Sequence, residues 1–203
     1  MLTIQLFENS PIDSISYILA NPQNQEALII DPGTENDKRI TDYLYDNNLD
    51  LKFIFLTHEH FDHILGVNFL RENFPNVKVI SSHKTSERLP NPKKNLAIFH
   101  NQNKLVVDKS EIIVEEGYFK MIDYEFEIYN TPGHTDSSIS LKIGDFFFSG
   151  DFLLQGTRIV TNLPTGSKKT YQQSIEKHKN MLQGVTIFPG HGEKYIFEDN
   201  KTI

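Results

Sequence analysis

Four apolar runs in this chain of 203 residues end in side chains of the kind that hold metal ions, and that recurrence restricts the fold more than any other feature. Residues 53–63 read FIFLTHEHFDH, an apolar segment that breaks into His58, Glu59, His60, Asp62 and His63. FEIYNTPGH ends at His134, DFFFSGD at Asp151 and VTIFPGH at His191, each through a turn of small residues. In layered α/β proteins ligand sites gather where strands give way to loops, and glycine there lets the backbone turn tightly or approach closely. Convergence of the four ends pools His58, His60, Asp62, His63, His134, Asp151 and His191. His58 and His60 stand two apart in extended or turning backbone and so can point the same way. Asp62 and His63 follow where the chain begins to coil and aim at a second point nearby. Five imidazoles and two carboxylates suit two zinc or iron ions, with a carboxylate able to bridge them.

The rest of the chain supplies a frame for such a centre. Strands are expected over 2–7, 15–20, 27–30, 53–56 and 77–80 from their apolar, β-branched character. Helices are expected over 37–45, where Ile40, Tyr43 and Leu44 share a face, and over 64–73, ended by Pro75. Residues 81–103, interrupted by Pro90 and Pro92, give no clear element; 96–99 reads equally as a short strand or a helical turn. From 105 to 148 the β-branched and aromatic residues with frequent turns suggest an antiparallel meander. A helix over 168–182 and a strand over 185–188 complete an α/β layered order whose sheets need helices on their outer faces. No low-complexity tract or long linker divides the chain, so a single domain over 1–203 is expected.

Composition narrows the chemistry. There is no Cys, which removes disulfides, thiolate nucleophiles, iron–sulfur clusters and thiolate zinc sites, and leaves imidazole and carboxylate as metal donors. A net charge of −7 provides no general attraction for phosphate backbones or anionic membranes. Neither a basic leader with an apolar core nor an apolar run of roughly 18 residues is present. The expectation is a soluble, cytoplasmic protein that acts on a small molecule rather than on nucleic acid or membrane, with its oligomeric state open.

THEHFDH, TPGHTDSS, SGDFL and FPGHGE together resemble the metallo-β-lactamase fold superfamily, and within it the glyoxalase II-like hydrolases, from the Asp31-Pro32-Gly33 turn through Gly192. The resemblance implies an αββα sandwich with the site at one sheet edge. It places His58, His60 and His134 on a first metal, Asp62, His63 and His191 on a second, and Asp151 between them, zinc being the expected ion with iron or manganese as alternatives. Two departures stand out. Asp136 and Ser137 occupy the place of a Pro-Gly pair, and only twelve residues follow His191, so the helical extension that binds glutathione in full-length glyoxalase II is not expected. Lack of Cys and presence of Asp151 argue against the antibiotic-hydrolysing subclasses.

The activity this implies is hydrolysis of a small thioester or ester. Lowering the pKa of water to about 7 at the metals would provide a nucleophile without Ser or Cys, and Asp62 could orient it or accept its proton. Asp31 reads either as a hydrogen-bond partner of a ligand histidine or as a cap of its own turn. His83 reads as an ordinary loop residue or a pocket wall, His100 and His178 as structural or surface residues, and Glu59 as turned away from the metals. Phe146-Phe147-Phe148 reads as a buried strand. Two other functions compete: an iron persulfide dioxygenase, which would use His58, His134 and Asp151 around one iron, and a non-catalytic module stabilised by metal.

Overall fold

Adjacent side chains on a strand face opposite sides, and this protein uses that alternation to build three apolar layers from two sheets. The computed structural model describes residues 1–198; residues 199–203, the end of the expected domain, lie outside the described residues. The first sheet orders β1 (Thr3–Glu8), β2 (Ile15–Asn21), β3 (Glu26–Ile30), β4 (Asp50–Phe55), β5 (Lys78–Ser81) and β6 (Ile112–Ile113). Its first three strands are antiparallel and β3 to β6 run parallel. The second sheet runs from β7 (Gly117–Met121) through β8 (Tyr124–Asn130), β9 (Ile139–Ile143), β10 (Phe146–Gly150) and β11 (Thr186–Pro189) to β12 (Tyr195–Ile196).

Between the sheets Tyr17, Leu28, Ile30 and Phe55 meet Phe126, Ile128, Leu141, Phe148 and Phe188. The rings of Phe148 and Phe188 stack at 4.8 Å, and Tyr17 lies edge-on to Phe148 at 5.3 Å. The other face of the first sheet, with Ile18, Ile29 and Ile54, is covered by α1 (Lys38–Asp46), α2 (Phe61–Ile64) and α3 (Val67–Asn73) through Ile40, Leu44, Ile64, Val67 and Leu70. The outer face of the second sheet packs Phe147 and Ile187 against Ile175 and Leu182 of α5 (Lys168–Leu182). Phe147 and Phe148 therefore enter different layers, while Phe146 is 39% exposed, so the triple-Phe run is a buried strand only from its second residue. The architecture is the expected αββα sandwich.

Direction of travel brings the metal-type side chains to one edge. β10 and β11 are parallel, and β8, two antiparallel steps from β10, points the same way, so 131–134, 151 and 191 all leave the second sheet at the same end. β4 delivers 57–63 from the facing sheet.

Several expectations need correction. The helix expected over 64–73 is two pieces, because Ser14 Oγ captures the Asp62 carbonyl at 2.6 Å and the Gly66 N–H donates to Pro32 O at 2.8 Å, which removes the helical bond between those residues. The meander begins at Gly117 rather than 105: Ile112 pairs with Ile80, so the chain is still in the first sheet there. Residues 81–103 hold α4 (His83–Arg88), capped by Ser82, whose Oγ accepts from the Thr85 N–H, and a 3-10 turn over Ala97–His100. β4 starts three residues earlier than expected, at Asp50, and β12 had no expectation at all.

Candidate metal centre

The seven pooled side chains meet at the shared sheet edge. His58, His60 and His134 present ring nitrogens within 4.8 Å of one another, and Asp62, His63 and His191 form a second group under the same limit. Within the first, His60 Nδ1 and His134 Nε2 are 2.9 Å apart. Within the second, Asp62 Oδ2 lies 3.6 Å from His63 Nε2 and 3.4 Å from His191 Nε2. Asp151 stands between the groups: Oδ1 is 3.5 Å from His63 Nε2 and 3.6 Å from His191 Nε2, and Oδ2 is 3.4 Å from His134 Nε2.

Close approach of backbone makes this packing possible. A Cβ on Gly190 would lie 2.3 Å from Asp151 Oδ1 and 2.9 Å from His63 Cε1. Gly150, at φ +50°, lets the chain turn into Asp151 with a hypothetical Cβ 2.4 Å from Thr57 Oγ1.

Buried atoms without partners test whether cations fit. His58 Nε2, His63 Nε2 and Asp151 Oδ1 are buried and accept or donate no hydrogen bond. Such atoms are uncommon in folded proteins, and here they converge. The opposite nitrogens are engaged. His58 Nδ1 lies 3.0 Å from Thr57 Oγ1, which donates to Asp31 Oδ2 at 2.6 Å; His63 Nδ1 lies 3.0 Å from the same carboxylate oxygen. His134 Nδ1 lies 2.8 Å from Val160 O, and His191 Nδ1 lies 3.0 Å from Asp13 O. Acceptors at Nδ1 fix the proton there and leave the Nε2 lone pair toward the centre, the arrangement that metal-ligating imidazoles require. The His/Asp cluster thus suits a dinuclear metal site.

The donors also shift one another's ionisation. Burial and the neighbouring imidazoles push His58 well below its usual range, and burial with His134 pulls His60 down to about 3. Burial also opposes charge on His63, yet Asp62 and Asp151, with Asp31, raise it to about 10. Burial opposes charge on Asp62 as well, but His63 and His191 hold it well below the ordinary carboxylate range. His191 is raised, Asp62 and Asp151 outweighing burial.

A family model for the metallo-β-lactamase superfamily matches residues 11–191. The chain belongs to the metallo-β-lactamase superfamily. Among curated members of the superfamily it is 32% identical to hydroxyacylglutathione hydrolase 1 of Vibrio vulnificus over 187 residues, 91% of this chain and 64% of that one. It is 30% identical to the probable metallo-hydrolase YqgX of Bacillus subtilis over 186 residues, 90% of this chain and 86% of the relative. The chain therefore spans less than two thirds of the Vibrio enzyme. Of the solved superfamily structures, the B3 metallo-β-lactamase BLEG-1 superposes with a TM-score of 0.87 at 27% identity, covering 95% of this chain and 93% of the other. ETHE1 from Myxococcus xanthus gives 0.77 at 24% identity, covering 98% and 78%. TTHA1623, in a di-iron-bound form, gives 0.77 at 23% identity, covering 96% and 94%; both of these likenesses concern the fold.

Asp31 is 1% exposed and holds Thr57 and His63, so it is the hydrogen-bond partner of a cluster histidine rather than a simple turn cap. Glu59 turns from the donors toward Arg88 and Ser137. His83 opens α4 and lines a cavity of about 480 Å³ with Lys84 and Asp136, outside the donor cluster. His100 stacks on Phe61, and the buried His178 lies 3.0 Å from Asn130 O through Nε2. Thr57 and the carbonyls of Asp13 and Val160 were missed. A backbone carbonyl carries no signature in sequence; Thr57, adjacent to His58, had only its position at a strand end to mark it. No helix among the described residues is long and apolar enough to cross a membrane.

Proposed function

We propose that this single domain is a dinuclear metal-dependent hydrolase of a small thioester or ester. His58, His60 and His134 would hold the first ion, Asp62, His63 and His191 the second, and Asp151 would bridge them. The observation that carries the reading is the position of Asp151, whose two oxygens face the two groups separately. Curated relatives named hydroxyacylglutathione hydrolase support a thioester as substrate.

Two divalent ions held there would supply Lewis acidity toward a carbonyl oxygen and lower the pKa of water to about 7, with zinc the first choice because it accepts imidazole and carboxylate ligands. The chain's own residues do the rest. Asp62 Oδ2 lies between His63 and His191, where this carboxylate would orient the attacking water or accept its proton. His191 has 26% of its side chain exposed against 0% for His63, so the centre is open to solvent at His191. The carboxylates of Asp62, Asp151 and Asp31 would offset three of the four charges of two divalent ions, and the remaining positive charge would favour a polarised acyl group and an anionic leaving group.

The test is hydrolysis of a hydroxyacyl-glutathione thioester, simpler thioesters, esters, lactones and a β-lactam by protein carrying two equivalents of metal. Thioester turnover is expected, with Asp151→Asn and Asp62→Asn each lowering kcat at least a hundredfold. The β-lactam is included because BLEG-1 bears the B3 name. A two-metal protein that hydrolyses nothing in the panel would refute the hydrolase reading. One iron per chain with oxygen uptake on glutathione persulfide would replace it with the dioxygenase.

A further inference from the structure

The two loops that carry the first triad are joined by charge at a point remote from the donor atoms. Glu59, between His58 and His60 in the chain, is 1% exposed and faces α4. Its Oε1 accepts from Arg88 Nη1 at 2.7 Å and its Oε2 accepts from Ser137 Oγ. Arg88 Nη1 also lies 2.6 Å from Asp136 Oδ1, a contact set by charge rather than by hydrogen-bond direction. Lys84 Nζ donates to Asp136 Oδ2 at 2.9 Å, and Ser82 Oγ donates to Ser137 O at 2.8 Å. Lys84 and Arg88 sit one turn apart on α4, so one short helix grips the His58–His60 loop and the His134 loop together.

Asp136 and Ser137 are the residues that depart from the Pro-Gly of the glyoxalase II-like pattern. A Pro-Gly pair shapes a turn through its own backbone. Here an ionic tie stands in that place, and it reaches across to the other loop. A carboxylate as buried as Glu59 needs a counter-charge, which keeps the guanidinium in position. Arg88, with 16% of its side chain exposed, is shielded enough for that attraction to survive salt.

We propose that Arg88 is a positioning residue for the first metal: by bridging Glu59 and Asp136 it holds the spacing at which His60 Nδ1 and His134 Nε2 face one ion. The second triad draws its donors from 62–63 and 191, which this bridge does not touch. The inference rests on the two-metal reading above and makes a narrower claim, that loss of the bridge weakens one site and spares the other.

The experiment is cobalt(II) titration of the metal-stripped full chain, read by visible absorption and by competition with a chromogenic chelator. Arg88→Met alone would leave Glu59 buried without its counter-charge, so the informative protein is Arg88→Met/Glu59→Gln, which removes both charges at similar volume. It is expected to melt cooperatively, to bind the second ion as the parent does, and to bind the first about tenfold more weakly or worse. Its cobalt spectrum should resemble that of His134→Ala and not that of His191→Ala. Asp136→Asn, at a more exposed position, should show the same selective loss in smaller measure. Lys177→Met, which removes an exposed ion pair with Glu116, is the control. Parent affinities at both sites in the folded double variant, or equal weakening of both, would overturn the inference. Unchanged first-site affinity in Asp136→Asn overturns it even should the double variant not fold. A parent that fails to take up two equivalents refutes the two-metal reading itself.

Discussion

Each imidazole of the centre has two nitrogens, and the one turned away decides what the other can do. Asp31 shows this at the level of a single residue. Its Oδ2 meets both Thr57 Oγ1 and His63 Nδ1, so one carboxylate orients a histidine directly and a second, His58, through a hydroxyl. Its Oδ1 accepts the Thr57 N–H at 2.8 Å and anchors the end of β4. Asp31→Asn keeps the size but offers an amide where the bonds require an acceptor. The expected result is a 10- to 100-fold loss of metal affinity by chelator competition, at both sites, since His58 and His63 belong to different triads. A loss confined to the second site would mean that the Thr57 relay does not orient His58.

At the scale of elements, a strand end can deliver a donor only if the backbone beside it leaves room. β11 ends at Pro189, and Gly190 then passes so close to Asp151 and His63 that a methyl group has no space. Its N–H donates to Gly150 O, and its carbonyl accepts from the Ile15 N–H at 2.7 Å, so the segment is bonded to both sheets and cannot back away. Gly190→Ala is expected to lower stability by about 1–3 kcal/mol in chemical denaturation. The same variant should lose most thioester turnover and bind the second ion more weakly, because both atoms it strikes belong to that side of the centre. Normal turnover in it would show that the loop adjusts and that the contact does not limit the site.

For the whole molecule, the two-metal reading links metals and fold, because the imidazoles, carboxylates and unpaired buried atoms at the junction of the sheets would gain partners when cations bind. Stripping the metal should lower Tm, and restoring zinc at a hundred times Kd should return about 2.7 kcal/mol for each site filled. The sign of the pH effect follows from His63. Its pKa in the metal-free fold is raised to about 10, so its contribution to that fold is complete below the ordinary histidine value of about 6.5 and is lost as pH rises toward 10. Proton competition for the same nitrogen weakens over that range. The gap in Tm between zinc-loaded and metal-free protein should therefore widen from pH 6.5 to 9. A gap that narrows would contradict the assignment of His63 as a donor.

Much of this was legible in the chain as written. Period-2 alternation, turn residues and the donor types at four strand ends point to apolar-cored sheets, to the helices α1 and α5 and to the seven donor-type side chains that converge, because those signals are local. Glu59, Asp31 and the triple-Phe run show where that legibility stops. Whether Glu59 faces a metal or an arginine, whether Asp31 serves a histidine or its own turn, and which layer each phenylalanine enters depend on residues 26 or more positions away, joined through sheet order and strand direction. The kinds of atom available for the centre were thus set by local sequence. Their separations, the capture of Asp62 O by Ser14 and the Arg88 bridge came only with tertiary structure, because they are distances between segments that meet when the two sheets pack.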